Sequence, residues 1–364
     1  MSSPLSKNIA RLIRETGPMP ISHFMAMALG HPKHGYYMTR DPLGAAGDFT
    51  TAPEISQMFG ELIGLWIAET WIAQGSPSKI VLAELGPGRG TLMADALRAL
   101  RAVPGLLPAL EIHFVETSPV LAAIQKQNVP NATWHDRFDT LPEGPLYLIA
   151  NEFFDALPIR QFVRTKQGWC ERYVMLTEDS TEESPSFEPA IVPVPQASND
   201  ILAAGQRNAP IGSLAEVSPA SAAFAEDIAS RIAKHGGAAL IIDYGHPKSA
   251  AGETLQALRK HEFVSVFETP GEADLTAHVD FEALAVAAKA GGAEVYGPIE
   301  QGTFLRALGI GERAERLKAK ATPEQARDID SAEHRLTSRE EMGSLFKVLA
   351  LTPKDAPAPA GFEV

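Results

Sequence analysis

Residues 79–98 read KIVLAELGPGRGTLMADALR and contain the pattern that decides the fold. The run Ile80–Ala83 is short, apolar and rich in β-branched residues, which predicts a buried strand. Three glycines follow, Gly86, Gly88 and Gly90, and they let the backbone turn sharply and approach a ligand closely. Beyond the last glycine, apolar residues recur at helical spacing. The stretch therefore predicts a strand, a glycine turn and a helix, the first unit of a nucleotide-binding α/β sheet.

The spacing of the glycines narrows the choice of ligand. A P-loop ends in Gly-Lys-Ser/Thr, and no lysine stands here. A dinucleotide fingerprint has glycine at its first, third and sixth positions, but the sixth position here is Thr91. The pattern is instead Glu-x-Gly-x-Gly-x-Gly, which suits S-adenosylmethionine, because Glu84 would attract its cationic amino acid end and the helix N-terminus its carboxylate. A glycine-rich turn without a ligand is the alternative for the motif alone.

Acidic residues also follow the second and third predicted strands. Strand two is Glu111–Val115 and ends at Glu116, the place where adenosine-binding sheets hold ribose hydroxyls. Strand three is Ala132–His135 and leaves Asp136 at its end, from where a carboxylate could reach an adenine amino group. The alternatives are a helix-start charge for Glu116 and, for Asp136, a different position set by the loop that follows it.

The fourth predicted strand, residues 146–150, runs directly into Asn151, Glu152 and Asp155. In an open parallel sheet the carboxyl ends of strands one and four flank the crevice in which ligands bind. We therefore expect these three residues beside the transferable methyl group of the cofactor. Two carboxylates three residues apart share one face if the segment turns helically. The alternative is a capped helix start whose phenylalanines are core residues.

Composition limits the classes of function. The chain has 364 residues, which suits one large α/β domain with additions or two domains. The net charge of -13 argues against a grip on a phosphate backbone, so we expect no nucleic acid partner. Cys170 is the only cysteine, and we expect neither a disulfide framework nor a metal site. No apolar run is long enough to span a membrane and no signal peptide pattern begins the chain, so we expect a cytoplasmic protein.

The order of strands and helices predicts a doubly wound α/β sheet, with additions before and within it. The predicted segments are an N-terminal helical extension (1–76), the first half of the core (77–158), an inserted α+β element on the substrate side between strands four and five (159–235), the second half of the core (236–352) and a frayed tail (353–364). Residues 180–212 are rich in Pro, Ser and Glu and predict irregular structure, and residues 261–281 predict little regular structure.

Several blocks resemble one family, the MidA-like methyltransferases. The blocks are GDFTTAPEISQ (47–57), ELGPGRGT (84–91), VETSP (115–119), NEFFDALP (151–158), IDYG (242–245), DLTAHVD (274–280), QGTFL (301–305) and LFK (345–347). They extend over nearly the whole chain, and taken together they are specific to the family, whereas the glycine turn by itself is not.

The resemblance implies a class I methyltransferase fold, Rossmann-like, with a mostly parallel seven-stranded sheet, helices on both faces and S-adenosylmethionine as methyl donor. Mitochondrial members of the family methylate an arginine of a respiratory complex I subunit during assembly, in the matrix. The resemblance therefore implies a protein arginine as acceptor, for example on a peripheral-arm subunit of complex I, and leaves a homodimer as one option. It also implies that a loop with Gly47, Asp48 and Thr50 covers the cofactor.

A guanidinium acceptor gives the acids after strand four a chemical role. Carboxylates that grip two of its nitrogens orient the third toward the methyl group. Glu152 and Asp155 are the candidates for this grip, with Asn151 as a positioning residue. The candidate cofactor residues are Glu84, Gly86, Gly88, Gly90, Glu116, Asp136, Gly47, Asp48 and Thr50. The competing hypotheses are a nucleotide-dependent oxidoreductase, a non-catalytic assembly chaperone that retains the fold, and, disfavoured by charge, a nucleic acid methyltransferase.

Overall fold

A computed structural model describes residues 3–42, 50–195 and 201–362, without the side chains of residues 192–195. Its helices are α1 (Pro4–Thr16), α2 (Ile21–Gly30), α3 (Tyr36–Thr39), α4 (Ala52–Ile55), α5 (Gln57–Ala73), α6 (Thr91–Leu100), α7 (Leu106–Ala109), α8 (Pro119–Asn128), α9 (Ala204–Arg207), α10 (Pro219–His235), α11 (Phe281–Ala290), α12 (Gln301–Ala307), α13 (Ile310–Lys318), α14 (Pro323–Thr337) and α15 (Met342–Leu345). Its strands are β1 (Met19–Pro20), β2 (Ile80–Leu85), β3 (Leu110–Val115), β4 (Thr133–His135), β5 (Leu146–Asn151), β6 (Arg160–Thr165), β7 (Gly168–Leu176), β8 (Phe187–Pro195), β9 (Leu214–Val217), β10 (Gly237–His246), β11 (Gln256–Arg259), β12 (Glu262–Val264), β13 (Asp274–Thr276), β14 (Val279–Asp280), β15 (Glu294–Glu300) and β16 (Phe346–Thr352).

These elements belong to two compact units, each assembled from separate parts of the chain. The sheet unit comprises Thr50–Phe154, Phe224–Pro247 and Leu284–Val364. The accessory unit comprises Met1–Phe49, Asp155–Ala223 and Lys248–Ala283. Residues 1–49 of the predicted N-terminal extension and residues 159–223 of the inserted segment fall in the accessory unit, whereas residues 50–76 and 224–235 belong to the sheet unit.

The sheet unit contains the predicted seven-stranded sheet. Its strands follow the order β15-β16-β10-β5-β2-β3-β4. The five strands from β10 to β4 are parallel, and β16 is antiparallel to both of its neighbours. The prediction of a mostly parallel α/β sheet with an insertion between its fourth and fifth strands is confirmed, because β6 to β9 separate β5 from β10 in sequence.

Central strands of this sheet are buried over their whole length. Every residue of β2 and of β5 is buried, which explains why the two sequences are nearly continuous apolar runs rather than alternating ones. Two polar residues interrupt this rule, Glu84 in β2 and Asn151 in β5. A polar side chain in a strand covered on both faces requires a partner or a ligand. These two exceptions point to a ligand site at the carboxyl ends of the strands.

Helix α5 packs on α6 at backbone contact. A Cβ added to Gly60 would lie 2.6 Å from Asp95 Cβ, and one added to Gly64 would lie 2.7 Å from the carbonyl oxygen of Ala96. Trp66 on the same helix is fully buried, as its wide apolar arc predicts. Ser56 caps α5 by accepting a hydrogen bond from Met58 N. The two helices thus form a close pair directly behind the glycine turn.

We predict that Gly64→Ala destabilises the protein by about 2–4 kcal/mol, because the added methyl group meets backbone that cannot move independently of α6. Urea unfolding measures the change. Gly30→Ala is the matched control, since Gly30 is also a helical glycine but has no atom within 4 Å of an added Cβ. The control should be neutral or stabilising by up to about 1 kcal/mol. Equal effects of the two substitutions would contradict the close helix pair.

The accessory unit is built from two small sheets. One has the order β1-β7-β6-β9 with β8 paired to β7, and the other has the order β12-β11-β13. Two predictions are corrected here: residues 180–212 contain β8 and α9, and residues 261–281 contain short strands. Proline content suggested irregular structure at 180–212, but β8 lies on the outside of the long strand β7, where prolines are tolerated because the outer N–H groups need no partner.

Candidate active site

The turn after β2 has the backbone that its glycines predict. Gly86, Gly88 and Gly90 have φ angles of +56°, +54° and +77°, in the left-handed region that favours glycine. Gly90 directly precedes α6, and its carbonyl accepts a hydrogen bond from Ala94 N at 3.0 Å. The N-terminus of α6 therefore opens at the carboxyl end of β2, where its unpaired N–H groups favour an anionic group.

Glu84 lies in β2 just before this turn and is only 3% exposed. Its Oε2 atom is buried and has no hydrogen-bond partner among the described residues. Burial raises the pKa of this carboxyl well above its usual range, because desolvation disfavours the charged form. An unsatisfied buried carboxylate oxygen is costly unless a donor or a cation occupies the space beside it.

Asn151 presents a second unsatisfied acceptor on the same face of the sheet. Glu84 is paired in register with Ile149 of the parallel strand β5, and Asn151 is two residues further along that strand. Side chains two residues apart in a strand share a face, so Glu84 and Asn151 project to the same side. Asn151 is 8% exposed, and its Oδ1 atom has no hydrogen-bond partner among the described residues. Both groups would be satisfied by a ligand that carries N–H donors or positive charge.

Glu152 follows β5 with a φ of +50°, a strained value for a residue with a side chain. Its backbone N donates to Ile242 O at 2.9 Å, which holds the residue against β10. Its Oε1 atom accepts hydrogen bonds from Ala52 N at 3.3 Å and from Asn151 Nδ2 at 3.1 Å. These hydrogen bonds therefore hold the carboxylate at the end of the strand and not in solvent.

The segment after Glu152 is not helical. The condition under which Glu152 and Asp155 would share a helix face is therefore not met. Asp155 is the first residue of the accessory unit and is 6% exposed. There its backbone carbonyl accepts a hydrogen bond from Ala277 N at 3.0 Å, which ties it to the segment after β13.

Glu116 follows β3, as predicted, and both of its carboxylate oxygens are held. Oε1 accepts from Ser118 N at 2.7 Å, and Oε2 accepts from Gln125 Nε2 at 3.0 Å. Burial raises the pKa of Glu116, and these hydrogen bonds act in the opposite direction by favouring the ionised form. The backbone N of Thr117 is a third donor to this carboxylate, which has about four lone-pair sites and can therefore still accept a hydroxyl group.

The remaining predicted cofactor residues are Asp136, Thr50, Gly47 and Asp48. Asp136 is exposed at the end of β4, the outermost strand of the sheet. Thr50 is half-buried at the start of the sheet unit. Gly47 and Asp48 lie outside the described residues.

Glu54 is a site residue that the sequence reasoning missed. It lies in α4, within the block 47–57. Its Oε1 atom accepts from Thr91 Oγ1 at 2.5 Å, and its Oε2 atom accepts from Arg89 Nη1 at 3.3 Å. Because Ala52 N reaches Glu152, this short helix connects the ends of β2 and β5. Its inclusion in a block of family resemblance was the available signal.

Gln125 of α8 was also missed. It is fully buried, and its side chain contacts the glycine turn, Glu116 and Trp134 of β4. A glutamine inside a helix carries no pattern by which a sequence could single it out.

No helix in the described part of the chain is both long enough and apolar enough to cross a bilayer.

Comparisons with known proteins agree on one family. Residues 62–299 match a family model described as "Putative S-adenosyl-L-methionine-dependent methyltransferase". The chain is 35% identical to a mouse protein and 36% identical to a zebrafish (Danio rerio) protein, both named "Protein arginine methyltransferase NDUFAF7, mitochondrial". These alignments cover 96% of this chain and 85% and 87% of the two relatives.

A solved structure gives the same result for the fold. The crystal structure of a Burkholderia thailandensis protein bound to S-adenosyl-homocysteine is 30% identical, with a TM-score of 0.85. The match covers 99% of this chain and 94% of that protein. S-adenosyl-homocysteine is what remains of S-adenosylmethionine after methyl transfer.

Proposed function

We propose that the methyl acceptor of this protein is an arginine side chain of another protein. The premise is that this chain belongs to the family of S-adenosylmethionine-dependent methyltransferases. The cofactor follows from the family, and the unsatisfied buried oxygens of Glu84 and Asn151 fit it. S-adenosylmethionine supplies an activated methyl group on a sulfonium. The arginine acceptor is proposed because the mouse and zebrafish relatives are named protein arginine methyltransferases.

The observation that carries the cofactor site is the pair of acceptor atoms on one face of β2 and β5. Glu84 Oε2 and Asn151 Oδ1 are buried and unsatisfied at the carboxyl ends of adjacent parallel strands. A cationic amino acid group satisfies both, because it brings positive charge and N–H donors together. The neighbouring glycine turn and the N-terminus of α6 suit the carboxylate of the same amino acid group.

The remaining cofactor assignments follow the strand order. Glu116 is proposed to accept a hydrogen bond from the ribose hydroxyls through the acceptor capacity that its three donors leave. Asp136 is proposed to bind the adenine amino group from the end of β4. The segment with Gly47, Asp48 and Thr50 is proposed to cover the cofactor, which agrees with the contacts that the following helix α4 makes to Arg89, Thr91 and Glu152.

For the acceptor, we propose that Glu152 and Asp155 grip the guanidinium and that Asn151 assists in positioning it. A carboxylate that accepts from two guanidinium nitrogens draws positive charge toward them and orients the third nitrogen for attack. Alignment then lowers the barrier, since the transfer is in-line between two positioned groups. The strained backbone of Glu152 supports a functional role, because such strain persists mainly where function requires it.

The protein substrate is proposed to be a peripheral-arm subunit of respiratory complex I, methylated in the cytoplasm. Purified protein incubated with radiolabelled S-adenosylmethionine and with complex I subunits should label one of them on arginine. Comparison of arginine methylation by mass spectrometry in cells with and without the gene should show the loss of the same mark. An unchanged methylome, together with binding of a subunit in the absence of cofactor, would instead support the assembly chaperone.

A further inference from the structure

The side chain of Gln125 connects three parts of the sheet unit: the glycine turn after β2, Glu116 after β3, and Trp134 of β4. Its Nε2 atom donates to Gly88 O at 2.7 Å and to Glu116 Oε2 at 3.0 Å. Its Oε1 atom accepts from Trp134 Nε1 at 2.8 Å. The residue is fully buried on α8, so water does not compete for these contacts.

The orientation of the Gln125 amide is determined by its partners. An indole nitrogen can only donate, so the atom facing Trp134 must be the amide oxygen. The amide nitrogen then faces two groups that can only accept, the Gly88 carbonyl and the Glu116 carboxylate. Both of its hydrogens and one lone pair of its oxygen are used. A reversed amide would place two donors together at Trp134 and two acceptors together at both Gly88 and Glu116.

This arrangement sets the direction of the Glu116 carboxylate. Ser118 N holds one oxygen and Gln125 Nε2 holds the other, so the carboxylate cannot rotate without breaking a hydrogen bond. The carboxylate keeps acceptor capacity in this orientation, so a hydroxyl of a vicinal diol can donate to it. The same amide also fixes the Gly88 carbonyl of the glycine turn.

We propose that Gln125 is a positioning residue for cofactor binding: it holds Glu116 in the orientation that accepts the ribose diol and locks the glycine turn to that acid. The inference rests on the proposed role of Glu116 within the cofactor site. It adds a residue that does not itself touch the cofactor but determines how strongly the nucleoside is bound. Gln125 acts through hydrogen bonds to the turn after β2 and to the acid after β3, so its loss weakens the ribose contact that Glu116 is proposed to make.

The test measures affinity by calorimetry for S-adenosyl-homocysteine, adenosine and 2′-deoxyadenosine. Gln125→Met keeps the length of the side chain but removes the donors, and we expect about tenfold weaker binding of S-adenosyl-homocysteine and of adenosine. Binding of 2′-deoxyadenosine, which keeps only the 3′-hydroxyl, should be weakened less than that of adenosine, because one of the two hydroxyl groups that Glu116 would accept is absent from that ligand.

Gln125→Glu gives a second and different readout. It places a carboxylate 3.0 Å from that of Glu116, and two such groups share a proton as the pH falls. A shared proton restores one donor, so affinity for S-adenosyl-homocysteine should recover between pH 8 and pH 6, unlike that of the wild type. Gln127→Glu is the control: it makes the same change of charge at an exposed position of α8 and should leave affinity and its pH dependence unchanged.

The outcomes distinguish a failure of the cofactor site from a failure of the role of Gln125. Wild-type protein that does not bind S-adenosyl-homocysteine would overturn the cofactor site, and this inference with it. Wild-type binding that Gln125→Met leaves unchanged would overturn the inference alone. Equal losses for adenosine and 2′-deoxyadenosine would also overturn it, since they would indicate a general packing role. Thermal unfolding of each variant checks that it is folded, and if one variant does not fold the other decides.

Discussion

Replacing Glu152 by glutamine is expected to slow methyl transfer at least about a hundredfold, which is the typical cost of removing one preorganised electrostatic contact. The substitution keeps the size of the side chain but removes the negative charge that would hold a guanidinium. Affinity for S-adenosyl-homocysteine should stay within about twofold, because Glu152 is proposed to face the acceptor rather than the cofactor. Single-turnover methylation of the acceptor protein and calorimetry separate the two effects.

The strained backbone at Glu152 provides a sharper version of this test. A φ of +50° costs about 1–2 kcal/mol for a residue with a Cβ and almost nothing for glycine. Glu152→Gly should therefore be inactive, with a stability within about 1 kcal/mol of the wild type, because relief of the backbone strain offsets the lost hydrogen bonds from Ala52 N and Asn151 Nδ2. If this variant is instead destabilised by more than about 2 kcal/mol, the contact with Ala52 N outweighs the strain, and the strained backbone no longer supports a functional role for Glu152.

Glu84→Gln is expected to weaken binding of S-adenosylmethionine by about a hundredfold, because a charge-assisted contact in a buried site is replaced by a neutral one. Proton linkage gives this prediction a second measurement. Burial raises the pKa of Glu84 in the unliganded protein, and a bound cation lowers it. The wild type should therefore release protons on binding, and its affinity should rise with pH. Calorimetry in buffers of different ionisation enthalpy detects the release, which Glu84→Gln should abolish.

The raised pKa of Glu84 also determines how the stability of the ligand-free protein depends on pH. Since the folded pKa of Glu84 lies above the unfolded value of about 4.3, the folded state keeps a proton that the unfolded chain has lost. The contribution of Glu84 to the free energy of unfolding is complete below the pKa of the unfolded chain. It is lost as the pH rises through the pKa of the folded state. Urea unfolding between pH 5 and pH 8 should show the wild type losing stability relative to Glu84→Gln. A constant difference across this range would mean that Glu84 is already ionised and paired.

Local patterns in the sequence predicted the parts of the site that lie on strand ends. The apolar run before Gly86 predicted β2, and the positive φ angles of the glycines agree with the predicted turn. Glu116 lies directly after β3, and Glu152 directly after β5, as the strand assignments required. These predictions succeeded because parallel strands bring their carboxyl ends to one edge whatever the details of packing.

Predictions failed where structure depends on a partner strand. Residues 180–212 appeared irregular by composition, yet β8 forms there because β7 offers a long strand to pair with. The helical turn that would place Glu152 and Asp155 on one face is absent, and Glu152 instead adopts a backbone held by Ile242 O and α4. Roles in acceptor binding stay predictions for both acids.

By itself, therefore, the sequence determined the family, the sheet and the cofactor, because these depend on periodicity, glycine placement and blocks of residues that are close in the chain. Only the tertiary structure decided what holds the site in place. Glu54 reaches Thr91, and Gln125 reaches Gly88, across 37 residues of sequence in each case. Such contacts arise when helices pack beside strand ends, and a hydrogen bond depends on distances of a few tenths of an ångström that no local pattern encodes.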